Sequence, residues 1–150
     1  MVTIRNRQRT IDVHHLDLAA KAEAMLRVLK YDGFDLGILL TTNRTIRRLN
    51  KQYRGKDKPT DILSFPYHTT LQAGDRIKVL YDEDKNVGDI IISLEYVEKD
   101  RARWNCSFEE RMITLLAHGI AHLLGYDHET DHEYSHMRRI ERKLYNAVQK

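Results

Sequence analysis

The stretch from Ala117 to Glu129 reads AHGIAHLLGYDHE and sets His118, His122 and His128 in the pattern HxxxHxxGxxH. No other stretch restricts the fold as strongly. Histidines four apart converge only on an α-helix, where they stand one turn above each other on one face. The helix must then stop and the chain turn back if a third imidazole is to join them, and Gly125 can take the positive φ that such a turn needs. Three neutral nitrogen ligands without a thiolate suit zinc or a similar first-row metal, with one coordination position left open. We therefore expect one zinc ion per chain, held by His118, His122 and His128, with His132 or Asp127 as competitors for the third place. A HxxxH pair alone is often a pair of core residues. Here the glycine stands where the turn is needed, and five of the eight histidines fall between 118 and 136.

The 150 residues suit one domain, 1–150, since a chain of this length can bury roughly 70% of its extended surface without staples. Cys106 is the single cysteine and cannot form an internal bridge, which suits a reducing compartment. The opening MVTIRNRQRT carries no apolar run suited to a signal peptide, and no long apolar stretch follows. A soluble cytoplasmic protein is expected, with neither a membrane nor a small-molecule organic cofactor among its partners. The net charge of +3 says less than its distribution. Arg44, Arg47, Arg48, Lys51, Arg54, Lys56 and Lys58 crowd one segment in which Asp57 is the only acid, and such a local excess attracts phosphates.

Periodicity supplies the frame. Val2 to Arg5 reads as a short edge strand. Leu18, Ala22, Met25, Leu26 and Leu29 recur at helical spacing between Leu16 and Lys30. Phe34 to Leu40 reads as a buried strand. Asn43 then N-caps a helix whose apolar stripe is Ile46, Leu49 and Tyr53, while Arg47, Lys51 and Arg54 share another face. Asp61 to Phe65 and Gly88 to Ser93 are further strands. Between them lies a polar connection, in which Arg76 to Tyr81 could extend the strands, and Leu94 to Trp104 is a short charged helix. Ser107 and Glu110 form a capping box, so the histidine helix starts near Phe108, with Met112, Leu115, Leu116, Gly119 and Leu123 in the core. A last helix runs from Asp131 towards Lys150, its core side Tyr134, Met137, Ile140, Leu144 and Val148. The expected fold is α+β, a mixed sheet of about four strands flanked by helices, with the metal site at the end of a central helix.

An open zinc position activates water and polarises a substrate oxygen, which suits hydrolysis of amides or phosphate esters. In metalloproteases of this spacing, the residue after the first histidine is a glutamate that acts as general base. Here it is Gly119. A phosphodiesterase needs positive charge around a crowded anionic transition state, and basic residues are what this chain supplies. A metal-dependent peptidase and a noncatalytic RNA-binding or ribosome-binding module with a structural metal remain the alternatives.

HGIAHLLGYDH, together with LNKQYRGKDKPTDILSFP at 49–66 and GDIIIS at 88–93, resembles the YbeY family of bacterial metal-dependent endoribonucleases, which act in ribosomal RNA maturation and ribosome quality control. The three blocks fall in the family's order. The resemblance implies that His118, His122 and His128 bind the metal, usually zinc, and that Arg54 is a functional residue near it. It also implies RNA, in particular ribosomal RNA, as substrate, and the ribosome or its associated proteins as partners. Ala121 departs from the bulkier apolar residue common at its position, and residues 67–87 follow no family pattern. In the mechanism this suggests, Arg54 donates to a non-bridging oxygen of the scissile phosphate, and Arg47, Lys51, Lys56 and Lys58 hold the flanking RNA backbone. Arg54 could instead form a salt bridge to Asp61 or Asp89. Asp127 is expected to orient a ligating imidazole or to cap the turn.

Overall fold

Leu36, Ile38 and Leu40 alternate along strand β2 (Asp35–Thr41), and Ile90 and Ile92 alternate along β4 (Asn86–Ser93); all five are buried on one face of a mixed sheet. The computed structural model describes residues 1–149. With β1 (Val2–Asn6) and β3 (Ile62–Pro66), the four strands lie in the order β1, β2, β4, β3. β1 and β4 both run parallel to β2, whereas β3 pairs antiparallel with β4 and forms an edge. Parallel neighbours need a crossover, and α1 (Leu18–Val28) provides the one between β1 and β2.

Two helices on opposite faces place the functional residues. Met112, Leu116, Ile120 and Leu123 of α4 (Phe108–Leu123) join the core on the Ile90 face, with Leu18, Ala22, Met25 and Leu26 of α1. On the other face, Ile46 of α2 (Asn43–Arg54) meets Leu63 and Ile91, flanked by Leu39, Leu49 and Phe65. A smaller helix, α3 (Leu94–Asp100), follows β4 and continues as a 3-10 turn over Arg101–Trp104. The last helix, α5 (Asp131–Ala147), buries Met137 and Leu144. The expected α+β sheet of four strands flanked by helices is present. No helix among the described residues is long and apolar enough to cross a membrane.

Several local expectations are corrected by tertiary partners. Asn43 is the first residue of α2, not its cap: its side-chain oxygen accepts from Ser93 Oγ at 2.7 Å, and its amide donates to Glu95 Oε1 at 2.7 Å. Arg76 to Tyr81 form no strand. Arg76 instead donates to the carbonyls of Leu29 and Lys30 beyond α1 and lies 4.0 Å over the Tyr31 ring. Tyr53 and Tyr134, expected in apolar stripes, are 55% and 53% exposed. Tyr53 packs edge-on against Phe65, 5.3 Å between centroids, and Tyr134 flanks the histidine cleft. The first helix starts at Leu18, after a 3-10 turn at His14–Leu16. α5, expected to run towards Lys150, ends at Ala147 with Val148 as its C-cap, and Lys150 itself lies outside the described residues.

Candidate metal centre

The capping box opens α4 as expected: Glu110 N–H donates to Ser107 Oγ at 3.1 Å, and Ser107 N–H to Glu110 Oε1 at 3.1 Å. One face of the helix packs closely on the sheet at Gly119, where a side chain would require the ends of two isoleucines to shift. A Cβ there would stand 2.8 Å from Ile90 Cδ1 and 3.0 Å from Ile62 Cδ1. His118 and His122 occupy a different, half-buried face.

Gly125 ends the arrangement. Its φ of +92° places it in the left-handed region. Gly125 N–H donates to His122 O at 3.0 Å and Tyr126 N–H to Ala121 O at 3.1 Å, the paired bonds of a Schellman motif. A Cβ on Gly125 would lie 2.5 Å from Leu71 O, so the connection between β3 and β4 crosses directly over this turn. The chain thus reverses and brings His128 back to the helix. One ring nitrogen each from His118, His122 and His128 lies within 4.8 Å of the others. The Nε2 atoms of His118 and His122 are 3.1 Å apart. Two tetrahedral zinc ligands with bonds of about 2.0–2.1 Å sit about 3.3 Å apart, so the His118–His122 pair matches such an ion in spacing and all three donors match it in type.

Glu141 completes the cluster from α5. Its Oε2 is 2.8 Å from His118 Nδ1, and only that nitrogen's proton can make this hydrogen bond to a carboxylate. The contact leaves the Nε2 lone pair of His118 directed towards His122. Sequence reasoning missed this residue, although a signal existed. Glu141 follows the buried Met137 by one helical turn, so a carboxylate interrupts the inward face of α5. Asp127 Oδ1 accepts from the His128 amide at 2.8 Å, the turn-capping contact that was one of its two expected roles. Burial, then the nearby His118, hold the His122 imidazole below its ordinary pKa and favour its neutral form.

The basic segment lies across edge strand β3. Arg54 Nη2 donates to Ser64 O at 2.8 Å, and its guanidinium lies 4.9 Å from the Phe65 ring centre. It pairs with neither Asp61 nor Asp89: Asp61 accepts from Arg111 at 3.1 Å, and the Asp89 carboxylate packs against Gly37. Arg54, Lys56 and Lys58 line a cleft of about 370 Å³, separate from that of the histidines but sharing Ile62 as a wall. Arg47 is partnered, its Nε donating to Asp57 Oδ1 at 2.9 Å, and that bond holds the Asp57 carboxyl below the usual range. Lys51 stays exposed on the same helix. The structure therefore gathers the three histidines into one cluster and the basic residues into another, and does not bring Arg54 to the imidazoles.

A family model described as endoribonuclease YbeY matches residues 3–149. The chain belongs to the YbeY family. A human endoribonuclease YbeY is 36% identical over 147 residues, covering 98% of this chain and 87% of that protein. The endoribonuclease YbeY of Thermoanaerobacter sp. (strain X514) is 39% identical over 149 residues, covering 95% and 94%. Among solved structures, the solution structure of TM1509 from Thermotoga maritima is similar in fold, with a TM-score of 0.59 at 24% identity, covering 97% of this chain and 90% of that one.

Proposed function

We propose that this chain is a metal-dependent endoribonuclease, hydrolysing phosphodiester bonds of single-stranded RNA in ribosomal RNA maturation and ribosome quality control, in the cytoplasm and beside ribosomal partners. The single observation that carries the reading is the convergence of three imidazoles at a helix whose position 119 is a glycine and supplies no carboxylate, in a chain of the YbeY family. A peptidase built on this spacing would need its general base there. His118, His122 and His128 are the proposed ligands, and zinc the proposed ion, one per chain, because three imidazoles without a thiolate suit it. Such an ion, when bound, supplies an acidified water and a polarised phosphoryl oxygen.

The protein's own groups divide the remaining work. Glu141 holds His118 in the tautomer that offers Nε2, and the cap by Asp127 fixes the approach of His128. Arg54 spends one N–H on Ser64 O and has others to donate to a non-bridging phosphate oxygen of an RNA strand laid across edge strand β3. Lys51, Lys56 and Lys58 hold flanking phosphates. Arg47 contributes less while Asp57 neutralises it.

Incubation of the metal-loaded protein with single-stranded RNA and with unstructured peptides tests this. RNA cleavage that is lost in His122→Ala and strongly reduced in Arg54→Ala is expected. Peptide cleavage lost in His122→Ala, with RNA left intact, would overturn the reading. So would RNA binding that survives Arg54→Ala and metal removal, with no cleavage at all.

A further inference from the structure

Beside the histidines, Asp61, Trp104, Arg111, Thr114, His118 and Tyr134 line a cleft of about 230 Å³. Arg111, Thr114, Leu115 and His118 fall on one face of α4, so the cleft follows that helix for two turns, about 10 Å. His118 is at one end. Arg111, with Trp104 over it, is at the other. The volume lies below the roughly 300–1,000 Å³ of pockets for drug-sized ligands, which leaves room for one planar ring.

Trp104 is 53% exposed, yet its indole is held from two sides. Its Nε1–H donates to Asp100 Oδ2 at 3.0 Å, and the Arg111 guanidinium lies 4.2 Å from the ring centre. Arg111 is itself buried and held to Asp61 at 3.1 Å. A network fixed from Asp61 through Arg111 thus backs one face of the ring and leaves aromatic surface open to the cleft. Exposed single apolar residues need no special reason, but an exposed indole positioned by a partly buried ion pair, in the same cleft as His118 and His128, has the properties of a stacking platform. Tyr134, 53% exposed, adds a second open ring to the cleft.

We propose that Trp104 stacks on one unpaired nucleobase of the RNA, adjoining the phosphate bound at the histidines, with the Arg111–Asp61 pair as its support and Tyr134 flanking the same base. The assignment rests on the endoribonuclease reading above. It also supplies a physical reason for preferring single strands, since a base within a duplex offers no free face to an aromatic ring. The contact selects for an available base and is tolerant of which base it is.

Trp104 is the chain's single tryptophan, so intrinsic fluorescence reads this contact directly. The metal-loaded protein is titrated with an end-labelled single-stranded 2′-O-methyl oligonucleotide, confirmed intact by gel afterwards, while fluorescence and label anisotropy are followed together. Quenching that saturates with the anisotropy is expected. An abasic oligomer of equal length, which offers phosphates alone, should bind more weakly and leave the fluorescence unquenched. Trp104→Ala should weaken binding of the oligonucleotide about tenfold, and Trp104→Phe should recover most of the loss. Should Trp104→Ala misfold, as judged by circular dichroism, wild-type quenching and Trp104→Phe affinity decide. Tight binding without quenching overturns the stacking role alone. Absence of any RNA binding overturns the endoribonuclease reading and this inference with it.

Discussion

His118 Nδ1 donates to Glu141 Oε2 across 2.8 Å, and this bond ties the histidine helix to the last helix of the chain. Partners of this kind fix a ligating imidazole's orientation and raise its basicity. We predict that Glu141→Ala lowers metal affinity by roughly 10- to 100-fold while the fold persists. Competition against a chromophoric chelator measures this; an unchanged affinity would reduce Glu141 to a tie between helices.

The metal-free protein should be acid-sensitive at His122. Burial and His118 depress its pKa, so below about pH 6.5 the unfolded chain takes up this proton more readily than the folded one. Stability therefore falls as pH drops from that value through the folded pKa. Between pH about 7.5 and about 5, the melting temperature of the metal-free wild type should fall further than that of His122→Gln. Parallel curves would contradict this. Bound metal should also be released over the acid range, because its ligands must be neutral.

Placing the metalloprotease glutamate at position 119 should disrupt the protein and not convert it. The Cβ alone meets Ile90 and Ile62 of the sheet, and the carboxylate would be buried among them. Overpacking of about 1–3 kcal/mol adds to the penalty of an unpaired buried charge. Urea denaturation of Gly119→Glu should show a loss above about 3 kcal/mol. A stable variant with peptidase activity would refute the steric argument.

Gly125→Ala should weaken metal binding without touching a ligand. Left-handed backbone costs a non-glycine residue about 1–2 kcal/mol, and the new Cβ would press on Leu71 O, a backbone atom with little freedom. Both strains move the turn that presents His128. Isothermal titration with zinc should give a weaker site in a still-folded variant; wild-type affinity would mean that the turn absorbs the change.

Asp57→Asn should strengthen RNA binding. The 2.9 Å bond to Asp57 neutralises Arg47 on an exposed surface, and releasing it adds one cation that can meet a phosphate. The logarithmic dependence of affinity on salt should steepen by about one unit. Neutralising Arg47 and Lys51 should flatten it, and identical slopes across these variants would remove both residues from the RNA interface.

Much of the site was legible in the chain because its determinants are local. The spacing of His118 and His122 needs only a helix, and the position of Gly125 needs only a turn. The Ser107 capping box and the apolar face of α4 likewise follow from neighbours a few residues away. Expectations failed where a distant partner intervened. Asn43 could not be read as a partner of Ser93 and Glu95, which lie some fifty residues on, nor Arg76 as a cap on the carbonyls after α1.

The sequence by itself determined that three imidazoles would gather at the end of one helix, that position 119 would carry no carboxylate, and that a basic segment would precede β3. Only the tertiary structure decided that Glu141 would hold His118, that Arg54 would turn to the backbone of β3, and that Arg111 would set Trp104 beside the histidines. The reason is physical: helical and turn geometry is dictated over a few residues, whereas the partner of a carboxylate or guanidinium depends on which helices and strands pack together.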